Sequence, residues 1–173
     1  MQHGMKAGCT LMTLRGAMPN SIQAKLEEAV GAAKNEYSKL IVLVTEDETK
    51  RGMLISDFAK SRGVDVINLN ASLSGRLLER SAKERVSVIL DELREIVDTP
   101  DTVAVIDHCE VLFDKTLKND PLKLLENVSR NKTILVAWPG SYRERKLIYA
   151  TAEHPEYRCY ENPDVVIVSG NNL

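Results

Sequence analysis

Residues 40–52 read LIVLV and then TEDETKRG, and this stretch decides the predicted fold. The segment Leu40–Val44 is a run of apolar residues rich in Val, Ile and Leu, which predicts a strand buried on both faces. Residues 50–62 follow with helical spacing, and Gly63 provides a typical helix end. A buried strand that leads through a short polar loop into a helix is characteristic of α/β proteins.

The same alternation of strand and helix continues along the chain. Further strands are predicted at residues 64–68, 103–106, 133–137 and 165–168. Further helices are predicted from Pro19 with Asn20 or Ser21 as the cap, from Leu73, from Ser81 with a capping box, from Pro121 with Asp120 as the cap, and over residues 141–149. The sequence therefore predicts an α/β fold with a five-stranded parallel sheet between two layers of helices.

Composition restricts the function classes. The 173 residues suit a single domain, with residues 1–18 predicted as an irregular N-terminal extension. Because 25 acidic residues offset 23 Lys and Arg, the whole surface is not suited to coating nucleic acid. The longest apolar runs, residues 40–44 and 134–138, are far shorter than the roughly 20 residues that span a bilayer. We therefore expect a cytoplasmic protein with no membrane association, and the three widely spaced cysteines predict neither a disulfide framework nor a metal site.

Two segments after predicted strands have the positions of nucleotide-binding motifs. The loop at residues 45–52 lies where a P-loop of pattern G-x-x-x-x-G-K-[ST] would lie. Residues 103–106 followed by Asp107 have the form of a Walker B strand, whose carboxylate holds magnesium. The residues at the positions that define the P-loop are Thr45, Lys50, Arg51 and Gly52. The pattern is therefore degenerate: the glycines, the phosphate-binding Lys and the magnesium-binding hydroxyl are all replaced.

The arrangement resembles the P-loop NTPase fold, in the branch that inserts a strand between the two Walker strands. This resemblance implies a three-layer fold with sheet order 5-1-4-3-2. It implies ATP with magnesium as the cofactor, although no cofactor is predicted firmly for so degenerate a loop. The nucleotide-binding candidates that it implies are Lys50, Arg51, Gly52, Asp107 and, toward a neighbouring subunit's nucleotide, Arg130.

A second resemblance rests on the later half of the chain. Its segments are DHCEVLFD at 107–114, LKNDPL at 117–122, SRNKT at 129–133, AW at 137–138, YA at 149–150 and HPEY at 154–157. These segments resemble the BrxF family, the small P-loop-containing proteins of type-3 BREX bacteriophage-exclusion systems. The resemblance implies a role in bacterial anti-phage defence, with other proteins of the system as partners and with a homo-oligomer as a further possibility.

Catalysis is not expected. Glu46, Asp47 and Glu48 place three negative charges in the loop, where they would repel a triphosphate. His108 follows Asp107 at the position where catalytic members of the branch carry Glu, and Glu110 is expected to point elsewhere. The preferred interpretation is a non-catalytic binding or assembly subunit with no catalytic residues. An unusual active NTPase that uses Arg51 and Asp107 is kept as an alternative.

One segment interleaves aromatic and basic residues, which can stack on bases and bind phosphates. Its members are Trp138, Tyr142, Arg143, Arg145, Lys146 and Tyr149. DNA binding through this segment is the other alternative. Purely structural interpretations also stay open. In this segment, the aromatic residues could lie at the rim of the core and the charges on a solvated helix face, while Lys50 and Arg51 could compensate the neighbouring acidic residues. Asp107 could be a solvated carboxylate at the end of a strand, and Arg130 could complement the dipole at a helix C-terminus.

Overall fold

A computed structural model describes residues 21–170 of the chain. The helices are α1 (Ile22–Ala33), α2 (Glu48–Arg62), α3 (Leu69–Leu77), α4 (Ala82–Val97) and α5 (Pro121–Val128). The strands are β1 (Leu40–Val44), β2 (Val66–Asn68), β3 (Val103–Asp107), β4 (Thr133–Trp138), β5 (Gly140–Arg143), β6 (Lys146–Tyr149), β7 (Arg158–Glu161) and β8 (Val166–Ser169). The extension predicted for residues 1–18 lies outside the described residues.

The main sheet has five parallel strands, as predicted, in the order β2-β3-β4-β1-β8. The expected numbering was 5-1-4-3-2. The last strand of the sheet is the eighth strand of the chain instead of the fifth, because β5, β6 and β7 come between it and β4. The strand after Arg62 forms one edge, and the last strand forms the other.

Alternate residues of the central strands face two separate hydrophobic cores. In β1, Leu40, Val42 and Val44 pack on the side of α3, α4 and α5. Ile41 and Leu43 pack on the opposite side, against α1 and α2. All five residues of β1 are fully buried, which explains why the strand is apolar without interruption.

The helix ends follow the capping residues that the sequence indicated. Ser21 caps α1, and Ser81 and Glu84 form the reciprocal bonds of a capping box at α4. Asp120 caps α5 ahead of Pro121. The helix α2 begins at Glu48, two residues earlier than predicted, and this difference shapes the candidate site.

The predicted helix over residues 141–149 is wrong. Strands β5 and β6 form an antiparallel hairpin there, and β7 adds a third strand. Glu144 and Arg145 form the turn with φ of 49° and 61°, a left-handed pair that suits two-residue hairpin turns. Tyr142, Leu147 and Tyr149 pack against the main core, whereas Arg143 is exposed. These contacts with the core favour strands over the predicted helix.

Candidate functional site at the carboxyl edge of the sheet

The carboxyl ends of β1, β3 and β4 meet at one edge of the parallel sheet, where α/β folds bind their ligands. The loop after β1 leads into α2, Asp107 ends β3, and the chain after Trp138 enters the β5–β6 hairpin. This edge therefore holds most of the candidate residues that the sequence indicated.

The loop between β1 and α2 is short. It comprises Thr45, Glu46 and Asp47 alone, because the helix begins at Glu48. The side chain of Asp47 caps the helix by accepting a hydrogen bond of 2.9 Å from the backbone N–H of Lys50. A phosphate in a P-loop binds such N-terminal N–H groups, so Asp47 occupies part of the position that a phosphate would need.

Lys50 is also engaged within the protein. Its ammonium group donates a hydrogen bond of 2.8 Å to the carbonyl oxygen of Gly170, just beyond β8. The backbone N–H of Gly170 in turn donates to the carbonyl oxygen of Val44 at the end of β1. Lys50 therefore ties α2 to the edge strand and does not extend toward a ligand.

Arg51 lies differently from its neighbours. Its side chain is only 8% exposed, and the closest carboxylate oxygen, on Glu48, is 4.0 Å from the guanidinium. Among residues 21–170, no hydrogen bond from the guanidinium is present within ordinary donor–acceptor distance. Gly52, the next residue, has open space where a Cβ would lie.

Asp107 is nearly buried, and its carboxylate turns back on its own loop. One oxygen accepts a hydrogen bond of 2.8 Å from the backbone N–H of His108, and the other lies 3.7 Å from Nε2 of the same histidine. His108 has a φ of 52°, a left-handed conformation that carries strain in a residue with a side chain. The β3 end is therefore held by local contacts.

The side chain of Asn70 anchors the loop after β3. Its amide nitrogen donates to the carboxylate of Glu110 at 2.8 Å, and its amide oxygen accepts from the backbone N–H of Val111 at 2.8 Å. Glu110 was expected to point away from the site. Glu110 lies in the wall of a pocket that Arg51 also lines and that Asp107 does not line.

That pocket has a volume of about 430 Å³. Arg51 lines it together with three carboxylates, those of Glu46, Glu48 and Glu110. Residues 139–141 and 148–150, at the base of the β5–β6 hairpin, complete the wall. Neither Lys50, Gly52 nor Asp107 lines it. The structure therefore separates Arg51 from the other residues of the predicted nucleotide site.

The hairpin base is fixed against the core by close contacts. A Cβ added to Gly140 would lie 1.9 Å from the carbonyl oxygen of Ile148, so only glycine fits there. Trp138 is fully buried and donates a hydrogen bond of 3.0 Å to the same carbonyl oxygen. Tyr149 stacks on Phe113, and burial, assisted by nearby Glu156, raises the pKa of its hydroxyl to about 12.

The basic residues of the predicted nucleic-acid segment gather at the hairpin tip, but the aromatic residues do not join them. Arg143 donates to Glu46 at 2.9 Å, and Lys146 lies 3.0 Å from Glu161. Lys146 has a raised pKa because it hydrogen-bonds to Glu161. Trp138 is inaccessible for base stacking, and Tyr142 packs against the core. Arg145 lies in the turn, where it is exposed.

Arg130 lies at the opposite edge of the sheet. It follows α5 and precedes β4, and its guanidinium stacks over the ring of Tyr37 at 4.9 Å. The structure therefore does not bring Arg130 to Lys50 or Asp107 within one chain. Its role toward a neighbouring subunit's nucleotide stays a prediction.

The residues at this edge do not fit ATP with magnesium. Asp47 caps the helix where a phosphate would bind, Lys50 bonds to Gly170, and a three-residue loop cannot wrap a triphosphate. Asp107, the candidate magnesium ligand, accepts a hydrogen bond from its neighbour's backbone. Within residues 21–170, no group of three or more His, Cys, Asp or Glu side chains is arranged to hold a metal ion.

Comparison with known proteins yields no match among protein-family models, characterised proteins or solved structures. In the described part of the chain, no helix combines the length and apolarity that crossing a membrane requires.

Two residues of the site were not singled out from the sequence. Asn70 follows β2, and Gly170 follows β8, so both lie at the carboxyl edge. The rule that ligands bind at strand carboxyl ends could have indicated both, because Gly170 directly follows β8 and Asn70 comes two residues after the end of β2. No sequence pattern indicated where the side chain of Glu110 would lie, because Glu110 follows a left-handed residue, His108, that the sequence did not predict.

Proposed function

We propose that this chain is a non-catalytic binding or assembly subunit built on a P-loop NTPase-like scaffold. The observation that carries the proposal is the engagement of the phosphate-binding positions by the protein itself. Asp47 bonds to the N-terminal backbone of α2, and Lys50 bonds to Gly170. When a protein's own side chains occupy its nucleotide site, the scaffold can still bind other molecules through its surface.

The order of the sheet supports the P-loop-like scaffold. One strand, β4, lies between β1, which leads into the degenerate loop, and β3, which ends in Asp107. An inserted strand between the two Walker strands distinguishes the branch that the sequence resembles. The absence of a matching structure leaves this assignment as part of the proposal.

The proposed biological setting is a BREX-type anti-phage defence system in the bacterial cytoplasm. It rests on the segments that resemble the BrxF family, chiefly residues 107–122 and 129–138. These segments form the β3 end, the turns at Glu110–Phe113 and Lys115–Leu117, the start of α5, and β4. They therefore contribute core residues beside the carboxyl edge and an exposed turn at residues 114–118.

Co-purification tests the assembly role. The tagged chain is co-expressed with the remaining proteins of a type-3 BREX system, and the complex is isolated at physiological salt. We expect at least one of these proteins to co-purify in stoichiometric amount, with or without added ATP. Co-purification of none of them would contradict the assembly role. A self-associated chain would appear as a larger species when the chain is expressed alone.

DNA binding through the hairpin tip is the second candidate. The clustering of Arg143, Arg145 and Lys146 at one turn favours it, although Glu46 and Glu161 neutralise two of the three charges. Replacing all three by Ala should weaken binding and reduce its log–log salt dependence by up to roughly 3 units. Equal binding and an equal salt slope in parent and variant would reject this candidate.

A further inference from the structure

The side chain of Arg51 is largely buried, and its guanidinium, which lies at the wall of the pocket, has no hydrogen-bonded partner among the described residues. The side chain is 8% exposed, and its closest carboxylate, 4.0 Å away on Glu48, is itself 79% exposed. Guanidinium groups carry five N–H donors in a planar fork, and donors without a protein partner are available to other acceptors. A protein that holds such a group at the wall of a pocket has a geometry suited to an external acceptor.

The position of Arg51 strengthens this argument. It lies in the first turns of α2, at the carboxyl edge of the parallel sheet, where α/β proteins bind ligands. The pocket volume of about 430 Å³ is within the usual range for small-molecule sites. The planar fork matches the two oxygens of a carboxylate in a bidentate arrangement.

The rest of the pocket selects against strongly anionic ligands. Glu46, Glu48 and Glu110 contribute three carboxylates to the wall, and because Glu46 is paired with Arg143, two carboxylates remain against the guanidinium of Arg51. A phosphate dianion would be repelled by this excess of negative charge. A simple cation would be attracted by the carboxylates but would leave the donors of Arg51 unpaired.

We propose that this pocket binds a small zwitterion of the α-amino-acid class. The ligand's carboxylate pairs with Arg51, and its ammonium group lies against the carboxylates of Glu48 and Glu110. This inference rests on the proposed function in one respect, namely that the sheet edge is not taken by a nucleotide. It adds a small-molecule ligand to what was proposed as a binding subunit.

Titration of the full chain tests the inference. The probes are the individual natural amino acids, with acetate, ethylammonium and inorganic phosphate as single-function controls, and binding is followed by calorimetry and by chemical-shift changes. We expect at least one amino acid to bind with a Kd of about 1 mM or tighter. Each single-function probe should bind at least about tenfold more weakly, because it satisfies only one side of the pocket.

Variants assign the binding to the pocket. Arg51→Gln should weaken amino-acid binding by about tenfold or more, since it removes a charge-assisted pair. Lys60→Gln removes one positive charge from an exposed position near the other end of α2 and should leave binding unchanged. Thermal unfolding verifies that both variants fold. If Arg51→Gln does not fold, Glu110→Gln supplies the test, with weaker binding expected from the loss of one carboxylate.

Three outcomes would overturn the inference: no amino acid binds at about 10 mM, phosphate binds more tightly than every amino acid, or folded pocket variants bind as the parent does. Failure here leaves the assembly role standing, because that role is tested by co-purification. Conversely, a chain that captures no partner protein but binds an amino acid through Arg51 retains this inference.

Discussion

The ammonium group of Lys50 lies 2.8 Å from the carbonyl oxygen of Gly170 and donates a hydrogen bond to it. The two residues are 120 positions apart in the chain. Their bond joins the first turn of α2 to the end of β8, the edge strand beside β1. A lysine at the position of a P-loop glycine thus has a structural role in joining α2 to the edge strand.

Lys50→Met should lower the free energy of unfolding by about 1 kcal/mol, because it removes one partly buried, charge-assisted hydrogen bond. Lys60→Met, in the same helix but exposed, should change stability little and serves as the matched control. Chemical denaturation measures both. Equal stability of the two variants would show that the contact with Gly170 contributes nothing.

Two glycine-to-alanine changes should have opposite effects. Gly140→Ala places a Cβ 1.9 Å from the carbonyl oxygen of Ile148 and should destabilise the protein by roughly 1–3 kcal/mol. Gly52→Ala meets no atom within 4 Å and lies inside α2, so it should stabilise by about 0.5–1 kcal/mol. Thermal unfolding compares them. Destabilisation by Gly52→Ala would mean that this position has a requirement that the structure does not show.

Arg51→Met should leave the free energy of unfolding unchanged or raise it by up to about 1 kcal/mol. The reason is that the closest carboxylate, on Glu48, is 4.0 Å from the guanidinium and is exposed. Replacement of Arg51 therefore removes a largely buried charge and leaves no buried carboxylate without its ion-pair partner. Denaturant titration in the absence of small molecules provides the measurement. A loss of about 3–5 kcal/mol, typical of a broken buried ion pair, would contradict this account of Arg51.

The capping box of α4 should make part of the stability depend on pH. Hydrogen bonds from the hydroxyl and backbone N–H of Ser81 lower the pKa of Glu84 below its ordinary 4.5. Because the folded pKa lies below the unfolded one, the contribution is present above pH 4.5 and is lost as the pH falls through the folded value. Parent and Glu84→Gln should therefore differ in stability at pH 7 and converge in acid.

The main sheet was predictable because burial on both faces leaves an unambiguous apolar run in each central strand. Leu40–Val44 and Thr133–Trp138 are fully buried, and Val103–Asp107 shares that burial. The capping residues Ser81 and Asp120 could also be predicted, because their side chains bond to backbone N–H groups only three residues further along the chain.

The hairpin and the pocket were not predictable for a different reason. Tyr142, Leu147 and Tyr149 pack into the main hydrophobic core, where Tyr149 stacks on Phe113, so tertiary contacts select strands over a helix. The partner of Lys50 is 120 residues away, and nothing local to residues 45–52 indicates Gly170. Similarly, the burial of Arg51 depends on the hairpin that the sequence did not reveal.

The measurement that tests the central claim most directly is calorimetric titration of the full chain with ATP in the presence of magnesium. We expect no saturable binding with a Kd below about 1 mM, because Asp47 and Lys50 engage the positions that phosphates would need. A Kd of about 10 µM or tighter, weakened by Arg51→Gln and by Asp107→Asn, would show that the edge of the sheet is a working nucleotide site and would contradict the account.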